Sequence, residues 1–279
     1  MRQLGEVLRL SAGYLSEHGS PTPRLDAELL IGHALGLPRI ELYTNFDRPL
    51  DEPELAACRA LLERRGRREP VAYILGRWGF HGLDLAVDAR VLVPRPETEV
   101  LVERCLALLD GLDAPRVADV GTGSGAIALA IKAARPDAAV TATDVSADAL
   151  TVARANAAAL GLELDLAEAD VLAGVEGRFA LVASNPPYIG EAEVAGLEPE
   201  VAEYEPRLAT VAGPAGTEVL ERLAAAAPAA LEPGGWLVVE CGAGQAEAVC
   251  GLLAAAGAVE TFAEPDLAGI DRVVGGRWT

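Results

Sequence analysis

The chain has 279 residues, of which 51% are hydrophobic and 23% charged, and its formal net charge is −19 at pH 7. This length and apolar content allow a full-sized α/β domain plus a small second one, and they exclude an extensively disordered chain. The sequence contains no apolar run of about 18 residues and no basic leader followed by an apolar stretch. We therefore expect a cytoplasmic protein without a membrane span.

The negative charge is unevenly distributed. Residues 1–75 contain 10 Arg or Lys and 11 Asp or Glu, whereas residues 76–279 contain 13 and 31, a net charge of −18. Such a charge repels phosphate backbones and argues against a nonspecific nucleic-acid binder. The four cysteines lie far apart and the three histidines lack ligand spacing, so we expect reduced thiols and no metal site.

The pattern of residues 1–75 predicts a small bundle of short helices. Apolar residues recur at helical spacing near the start of the chain, and the same period resumes over Arg24–Leu35. Asp51 followed by Glu54 is typical of a capping box, which predicts the start of a helix that runs to about Arg65.

A basic cluster, Arg64, Arg65, Arg67 and Arg68, lies at the end of that predicted helix. Cations favour the C-terminal end of a helix dipole, so the cluster is typical of a solvated helix end. The alternative is a contact surface for a macromolecular partner, and the sequence leaves both interpretations open.

The pattern changes after this helical region. Residues 76–95 mix aromatic and β-branched residues with Gly and Asp, which predicts a β-hairpin connector, and a helix is expected from about Glu97 to Asp110. From residue 115 onward seven strands alternate with helices, the signature of an α/β fold with a doubly wound, mostly parallel sheet and helices on both faces. The strands are predicted at Arg116–Val120, Ala139–Thr143, Leu162–Glu168, Phe179–Ala183, Trp236–Glu240, Val259–Ala263 and Arg272–Val274. The helices are predicted at Ala126–Ala134, Ala147–Leu160, Glu218–Leu231 and Gln245–Ala256.

A glycine-rich loop, Asp119–Gly125, follows the first of these strands. Its G-x-G-x-G pattern lacks the later glycine of a dinucleotide fingerprint and the Gly-Lys of a P-loop. Asp144 ends the second strand, where a carboxylate reaches the hydroxyls of a ribose, unless it only supports the next helix start. Asp170 ends the third strand, where the wall of an adenine pocket is expected. A glycine loop without a phosphate grip fits S-adenosylmethionine better than NAD.

The segment Asn185-Pro186-Pro187-Tyr188 follows the apolar run Phe179–Ala183. An amide nitrogen is a weak nucleophile, because its lone pair is delocalised into the carbonyl group. The Asn185 side-chain oxygen and the Pro186 carbonyl could accept both hydrogens of a planar NH2 group, while Tyr188 stacks on it. A rigid surface turn is the alternative interpretation of the two prolines.

Together these residues resemble the class I S-adenosylmethionine-dependent methyltransferases that carry an Asn-Pro-Pro-Tyr motif. More closely, the whole chain resembles the protein-(glutamine-N5) methyltransferases of peptide chain release factors, the PrmC/HemK family. The stretches that carry the resemblance are Pro70–Gly76, Val93–Glu99, Asp119–Ile127, Ser184–Ile189, Tyr204–Pro206, Pro233–Gly235 and Asp271–Arg272.

The resemblance implies a Rossmann-like methyltransferase domain (96–279), the connector (76–95) and a helical domain (1–75) that helps to recognise a release factor. It implies methyl transfer to the glutamine of the factor's Gly-Gly-Gln motif, with S-adenosyl-L-homocysteine as the product. The implied catalytic residues are Asn185, Pro186 and Tyr188, and Pro187 joins them in binding the glutamine. The cofactor would be bound by Gly121, Thr122, Gly123, Ser124, Gly125, Asp144, Asp170, Val171 and Asn185, with Val171 at an adenine-wall position where relatives carry an aromatic residue.

Two other functions share some of these features. An adenine-N6 methyltransferase of DNA or RNA could hold the exocyclic NH2 of a flipped base with the same four residues. A catalytically silent adenosine-binding protein would need only the glycine loop and its acids. The charge of −18 on residues 76–279 argues against the first, and the intact Asn185 argues against the second.

Overall fold

A computed structural model describes residues 2–279. These residues form two compact units. One contains the chain up to Arg77 together with Glu198–Tyr204, and the other contains Trp78–Leu197 together with Glu205–Thr279. Within the described chain, no helix is long and apolar enough to cross a membrane.

The first unit is a helical bundle with one short antiparallel pair of strands. The capping box is confirmed, because the Asp51 side chain accepts a hydrogen bond from the Glu54 backbone and the Glu54 side chain accepts one from the Asp51 backbone. The elements up to residue 75 are β1 (Arg2–Gln3), α1 (Leu4–Glu17), α2 (Pro23–Leu35), α3 (Arg39–Thr44), β2 (Pro49–Leu50), α4 (Glu52–Gly66) and α5 (Val71–Leu75).

The basic cluster at the end of α4 includes a buried arginine, Arg65, for which both interpretations from the sequence, a solvated helix end and a contact for a partner, are wrong. Arg65 is only 4% exposed and donates to Asp26 and to Glu200, each at 2.7 Å. Arg68 pairs with Glu198 and with Glu200. Acidic residues distant in the sequence therefore neutralise these arginines, which a local charge pattern cannot indicate.

Residues 77–86 form the predicted two-stranded pair, and from residue 115 onward strands and helices alternate as predicted. A 3-10 turn (Glu191–Gly196) and a π-helical turn (Glu200–Tyr204) follow the fourth strand of the large sheet. The other elements are β3 (Arg77–Phe80), β4 (Leu83–Ala86), α6 (Pro96–Leu108), β5 (Arg116–Val120), α7 (Ala126–Ala134), β6 (Ala139–Asp144), α8 (Ala147–Leu160), β7 (Asp165–Glu168), β8 (Phe179–Ser184), β9 (Ile189–Gly190), α9 (Arg207–Thr210), β10 (Val211–Gly213), α10 (Glu218–Ala230), β11 (Leu231–Glu240), α11 (Ala246–Ala255), β12 (Glu260–Pro265) and β13 (Asp271–Arg277).

Seven strands form one sheet in the order β12-β13-β11-β8-β5-β6-β7. Only β13 runs against its neighbours, so the prediction of a mostly parallel seven-stranded sheet is confirmed. Four strands differ from their predicted bounds by two residues or more, among them β12, which ends at Pro265, and β13, which ends at Arg277. β7 begins three residues late because the Leu162 amide instead caps α8 by donating to Ala157. β11 begins at Leu231 and not at the predicted Trp236, because Leu231 already pairs with Phe179 of β8, before a register shift that separates this pair from the one at Trp236.

Helices cover both faces of this sheet, and each face has its own apolar core. Alternate residues of one strand point to opposite faces, so Leu181 belongs to one core and Val182 to the other. The first core includes buried residues of α6 and α7, and the second includes those of α10 and α11. This layering fixes the strand ends that carry the polar residues described next.

Candidate active site

A cavity of about 380 Å³ lies at the carboxyl ends of the central strands of the sheet. The chain proceeds from β5 outward in one direction through β6 and β7, and from β8 in the other through β11. Ligands of open α/β sheets bind where the strand order reverses in this way. The predicted site residues that line the cavity are Gly121, Thr122, Gly123, Ser124, Asp144, Asp170, Val171, Asn185, Pro186 and Pro187.

The glycine loop presents open backbone to this cavity. Gly121 and Gly123 have φ of 72° and 56°, a region that residues with a Cβ rarely adopt. Apart from the adjacent residues in the chain, no atom of the described residues lies within 4 Å of a Cβ placed on either glycine. Gly125 does not line the cavity. It precedes α7, and a Cβ there would approach Leu129 to 3.0 Å, so its small size serves close packing.

The loop is held by side chains from other segments. The Asp144 carboxylate accepts hydrogen bonds from the backbone amides of Gly123 and Ser146, both at 2.9 Å. The Asn156 amide group donates to the Ser124 carbonyl and also bonds the backbone of Ala86 in both directions. The loop conformation therefore depends on residues that are distant in sequence.

Asp144 is a half-buried acceptor that forms no ion pair with a cationic side chain among residues 2–279. Burial raises the pKa of its carboxyl group, and the backbone hydrogen bonds from Ser146 and Gly123 oppose the shift. Each carboxylate oxygen has a further lone pair for a ligand hydroxyl. Asp144 thus both supports the next helix start and offers an acceptor to the cavity.

The third strand contributes the outer wall of the cavity. Asp170 lies two residues beyond β7 and forms an ion pair with Arg222 at 2.5 Å, with side chains 58% and 50% exposed. Val171 has φ of 58°, an outlier for a β-branched residue. Its carbonyl accepts a hydrogen bond from the Thr143 side chain, which helps to hold this conformation.

Asp119, at the end of β5, is fully buried beneath the loop. One of its carboxylate oxygens accepts from Thr122 and from the Ala128 backbone, and the other has no hydrogen-bond partner among the described residues. Burial raises the pKa of Asp119 to about 7.

The opposite side of the cavity is formed by Asn185, which follows β8. Its side-chain NH2 group donates to the Thr98 hydroxyl at 3.0 Å. Thr98 in turn donates to the Glu240 carboxylate at 2.6 Å. Thr98 is 4% exposed and Glu240 1% exposed, so water does not replace these contacts.

Tyr188 lies beside this chain of hydrogen bonds and does not line the cavity. Its hydroxyl is 3.5 Å from the second carboxylate oxygen of Glu240, and its carbonyl accepts from the Gln245 side chain. Burial raises the pKa of Tyr188 to about 12, so the phenol stays protonated at neutral pH.

Comparison with known proteins places these features in a family. The PrmC N-terminal domain model matches residues 6–76, and the Methyltransferase small domain model matches residues 97–198. The release factor glutamine methyltransferase of Geobacter sulfurreducens is 47% identical over 98% of this chain and 95% of its own length. The chain belongs to the release factor glutamine methyltransferases. The family member from Chlorobaculum tepidum is 48% identical over 89% of this chain and 88% of its own.

Solved structures with similar folds include more distant methyltransferases. The hMettl16 catalytic domain, solved with an RNA hairpin, is 14% identical with a TM-score of 0.59, covering 82% of this chain and 83% of its own. The Thermus thermophilus 16S rRNA N2 G1207 methyltransferase, solved with AdoMet and guanosine, is 17% identical with a TM-score of 0.52 over 73% and 50%. At these identities the likeness concerns the fold alone.

Three polar residues of this release factor glutamine methyltransferase were missed by reasoning from the sequence. Thr98 lies inside Val93–Glu99, one of the stretches that carry the family resemblance, but the sequence assigns it no role there. Glu240 looks like the polar end of an apolar strand. Glu205 accepts a hydrogen bond from Arg95 at 2.6 Å, and Arg95 lines the cavity. A carboxylate that directly follows the apolar run Trp236–Val239, at the switch point, was the one available signal for Glu240.

Proposed function

We propose that this protein transfers a methyl group from S-adenosyl-L-methionine to the side-chain amide nitrogen of the glutamine in the Gly-Gly-Gln motif of peptide chain release factors. The observation that carries this proposal is one cavity lined by both the glycine loop after β5 and Asn185 after β8. Its relatives at 47% and 48% identity are release factor glutamine methyltransferases.

The cofactor side of the cavity fits an adenosyl group. The open backbone at Gly121 and Gly123 leaves space that any Cβ would fill. Asp144 would accept hydrogen bonds from the ribose hydroxyls, and Ala149, Ala169 and Val171 line the cavity with apolar atoms suited to an adenine ring. Asp170, on the rim, would contact the adenine edge. When bound, S-adenosylmethionine supplies an electrophilic methyl group on a sulfonium sulfur.

The amide side of the cavity would hold the glutamine. The Asn185 side-chain oxygen and the Pro186 carbonyl would each accept one hydrogen of the substrate NH2, which orients the nitrogen and weakens conjugation of its lone pair. Pro187 fixes the backbone there, and Tyr188, which does not line the cavity, would support this segment from behind through its contact with Glu240. Positioning supplies most of the acceleration, because the methyl donor is already reactive. The nitrogen loses its proton after methylation, so no strong base is needed.

We also propose that the helical unit recognises the release factor. Support comes from its match to the PrmC N-terminal domain and from exposed apolar side chains on and beside α3, where Ile40 is 71% exposed. Ile40→Glu should raise KM for the whole release factor and leave KM for a short Gly-Gly-Gln peptide unchanged. Leu10→Glu, at 38% exposure in the same unit, is the matched control. Equal KM changes for factor and peptide would contradict this role.

The experiment for the reaction is peptide mass spectrometry of a release factor incubated with the protein and S-adenosylmethionine. We expect one added methyl group on the glutamine of Gly-Gly-Gln, and none on a factor whose motif reads Gly-Gly-Asn. An unmodified factor, with cofactor binding verified by calorimetry, would overturn the proposal. Label transfer to an adenine-containing nucleic acid would then favour the adenine-N6 reaction.

A further inference from the structure

The Asn185 amide must have one orientation to serve the proposed reaction. A substrate NH2 group donates hydrogen bonds, so it needs the carbonyl end of Asn185 and is repelled by the NH2 end. The two ends have almost the same shape, and only hydrogen-bond partners decide which one faces a ligand.

The chain of hydrogen bonds behind Asn185 makes that decision. The Thr98 hydroxyl donates its single hydrogen to Glu240, whose ionised carboxylate accepts and does not donate. Burial raises the pKa of this carboxyl group, and the Thr98 hydrogen bond and the charge of Arg272 oppose the shift. The Thr98 oxygen is then only an acceptor toward its other neighbour, and it receives a hydrogen from the NH2 group of Asn185. The carbonyl oxygen of Asn185 is the end left for the cavity.

We infer that Thr98 and Glu240 are positioning residues that fix the Asn185 amide with its oxygen toward the substrate nitrogen. This inference rests on the proposed function and deepens it. Neither residue needs to touch the reacting atoms, because both act through the orientation of Asn185. Thr98 is 87 residues from Asn185 and 142 residues from Glu240, so no single local motif contains all three residues.

The burial of Glu240 protects its hydrogen bond with Thr98 from exchange with water. A solvated carboxylate would exchange its Thr98 contact with water, and the hydroxyl could then turn its hydrogen toward Asn185. At 1% exposure, Glu240 finds its hydrogen-bond partners within the protein, from the Thr98 hydroxyl and the more distant Tyr188 hydroxyl.

The test compares Thr98→Val, which removes the hydroxyl, with Thr98→Ser, which keeps it. In single-turnover methylation of a release factor, we expect Thr98→Val to lower the rate about tenfold, the worth of one hydrogen bond. Thr98→Ser should retain most of the rate. Affinity for S-adenosylmethionine should stay unchanged in both variants.

A double-substitution cycle separates positioning from a general structural role. If Thr98 acts through Asn185, Thr98→Val should cause no further loss in an Asn185→Ala background. An equal loss in both backgrounds, a wild-type rate in Thr98→Val, or a Thr98→Ser variant as slow as Thr98→Val would each overturn the inference. Failure of the wild-type protein to methylate the factor would instead count against the proposed function.

Discussion

The two sides of the cavity are built on different principles. On the glycine-loop side, the groups offered to a ligand are open backbone and one carboxylate, Asp144, all close to the ends of β5 and β6. On the opposite side, the group offered is the side chain of Asn185, held by Thr98 and Glu240 from two other segments. Backbone geometry is set by the fold, whereas a side-chain amide needs partners to choose its orientation.

Because of this difference, we expect cofactor affinity and turnover to depend on separate parts of one cavity. Substitutions on the glycine-loop side should weaken cofactor binding, and substitutions on the Asn185 side should slow methyl transfer while leaving cofactor binding intact. The following predictions test that division, beginning with the largest expected effect.

Asn185→Ala should slow methyl transfer without weakening cofactor binding. We expect the rate of methyl transfer to fall by about 10²–10³-fold, the range seen when one preorganised polar contact to the reacting group is removed. The calorimetric dissociation constant for S-adenosylmethionine should change little. A near-wild-type rate would remove Asn185 from the reaction, and a large loss of cofactor affinity would erase the division between the two sides.

Asp119, buried beneath the glycine loop, should make the free energy of unfolding depend on pH. Its pKa of about 7 in the folded protein lies above the ordinary value of 3.8, so the folded state retains a proton that the unfolded state has released. The free energy of unfolding should therefore decrease as pH rises from about 4 to 7, by on the order of 3 kcal/mol from this group. Asp119→Asn should lack that part of the slope in denaturant titrations. Identical slopes in the two proteins would contradict it.

Asp144→Ala should weaken cofactor binding by about 1.5–3 kcal/mol, the usual worth of a hydrogen bond to a charged group. Asp170→Asn is the matched control, because the Asp170 side chain is 58% exposed and its ion-pair partner Arg222 is 50% exposed. For that variant we expect a change below about 1 kcal/mol. Calorimetry on both variants checks this order, and an unchanged affinity in Asp144→Ala would refute the ribose assignment.

The parts of the molecule that the sequence predicts well are those with local signals. The seven strands and their helices follow from apolar periodicity, the capping box from Asp51 and Glu54, and the position of the cavity from a glycine loop and Asn185 at two strand ends. Each of these signals spans only a few residues, and each comes with a physical reason that needs no distant partner.

The parts that the sequence did not reveal are contacts between distant residues. Arg65 looks like one member of a basic cluster, but its partners Asp26 and Glu200 lie on either side of it in the chain and remove its charge from the surface. Thr98 and Glu240 are a similar case, since nothing in either segment indicates the other. Side-chain hydrogen bonds of this kind become visible only when the fold brings the segments together.

The ion pair between Arg65 and Glu200 has a consequence for the order of synthesis. The two residues are 135 positions apart, which takes roughly 7–27 s to translate at about 5–20 residues per second. Until Glu200 emerges, the Arg65 guanidinium has Asp26 and the Glu69 carbonyl as partners, but it lacks the carboxylate that it shares with Arg68. A buried ion-pair network that lacks one member is destabilised. The unit at the start of the chain also contains Glu198–Tyr204, so we expect it to finish folding only after that segment has emerged. A nascent chain stalled before residue 200 should expose the unit to proteolysis.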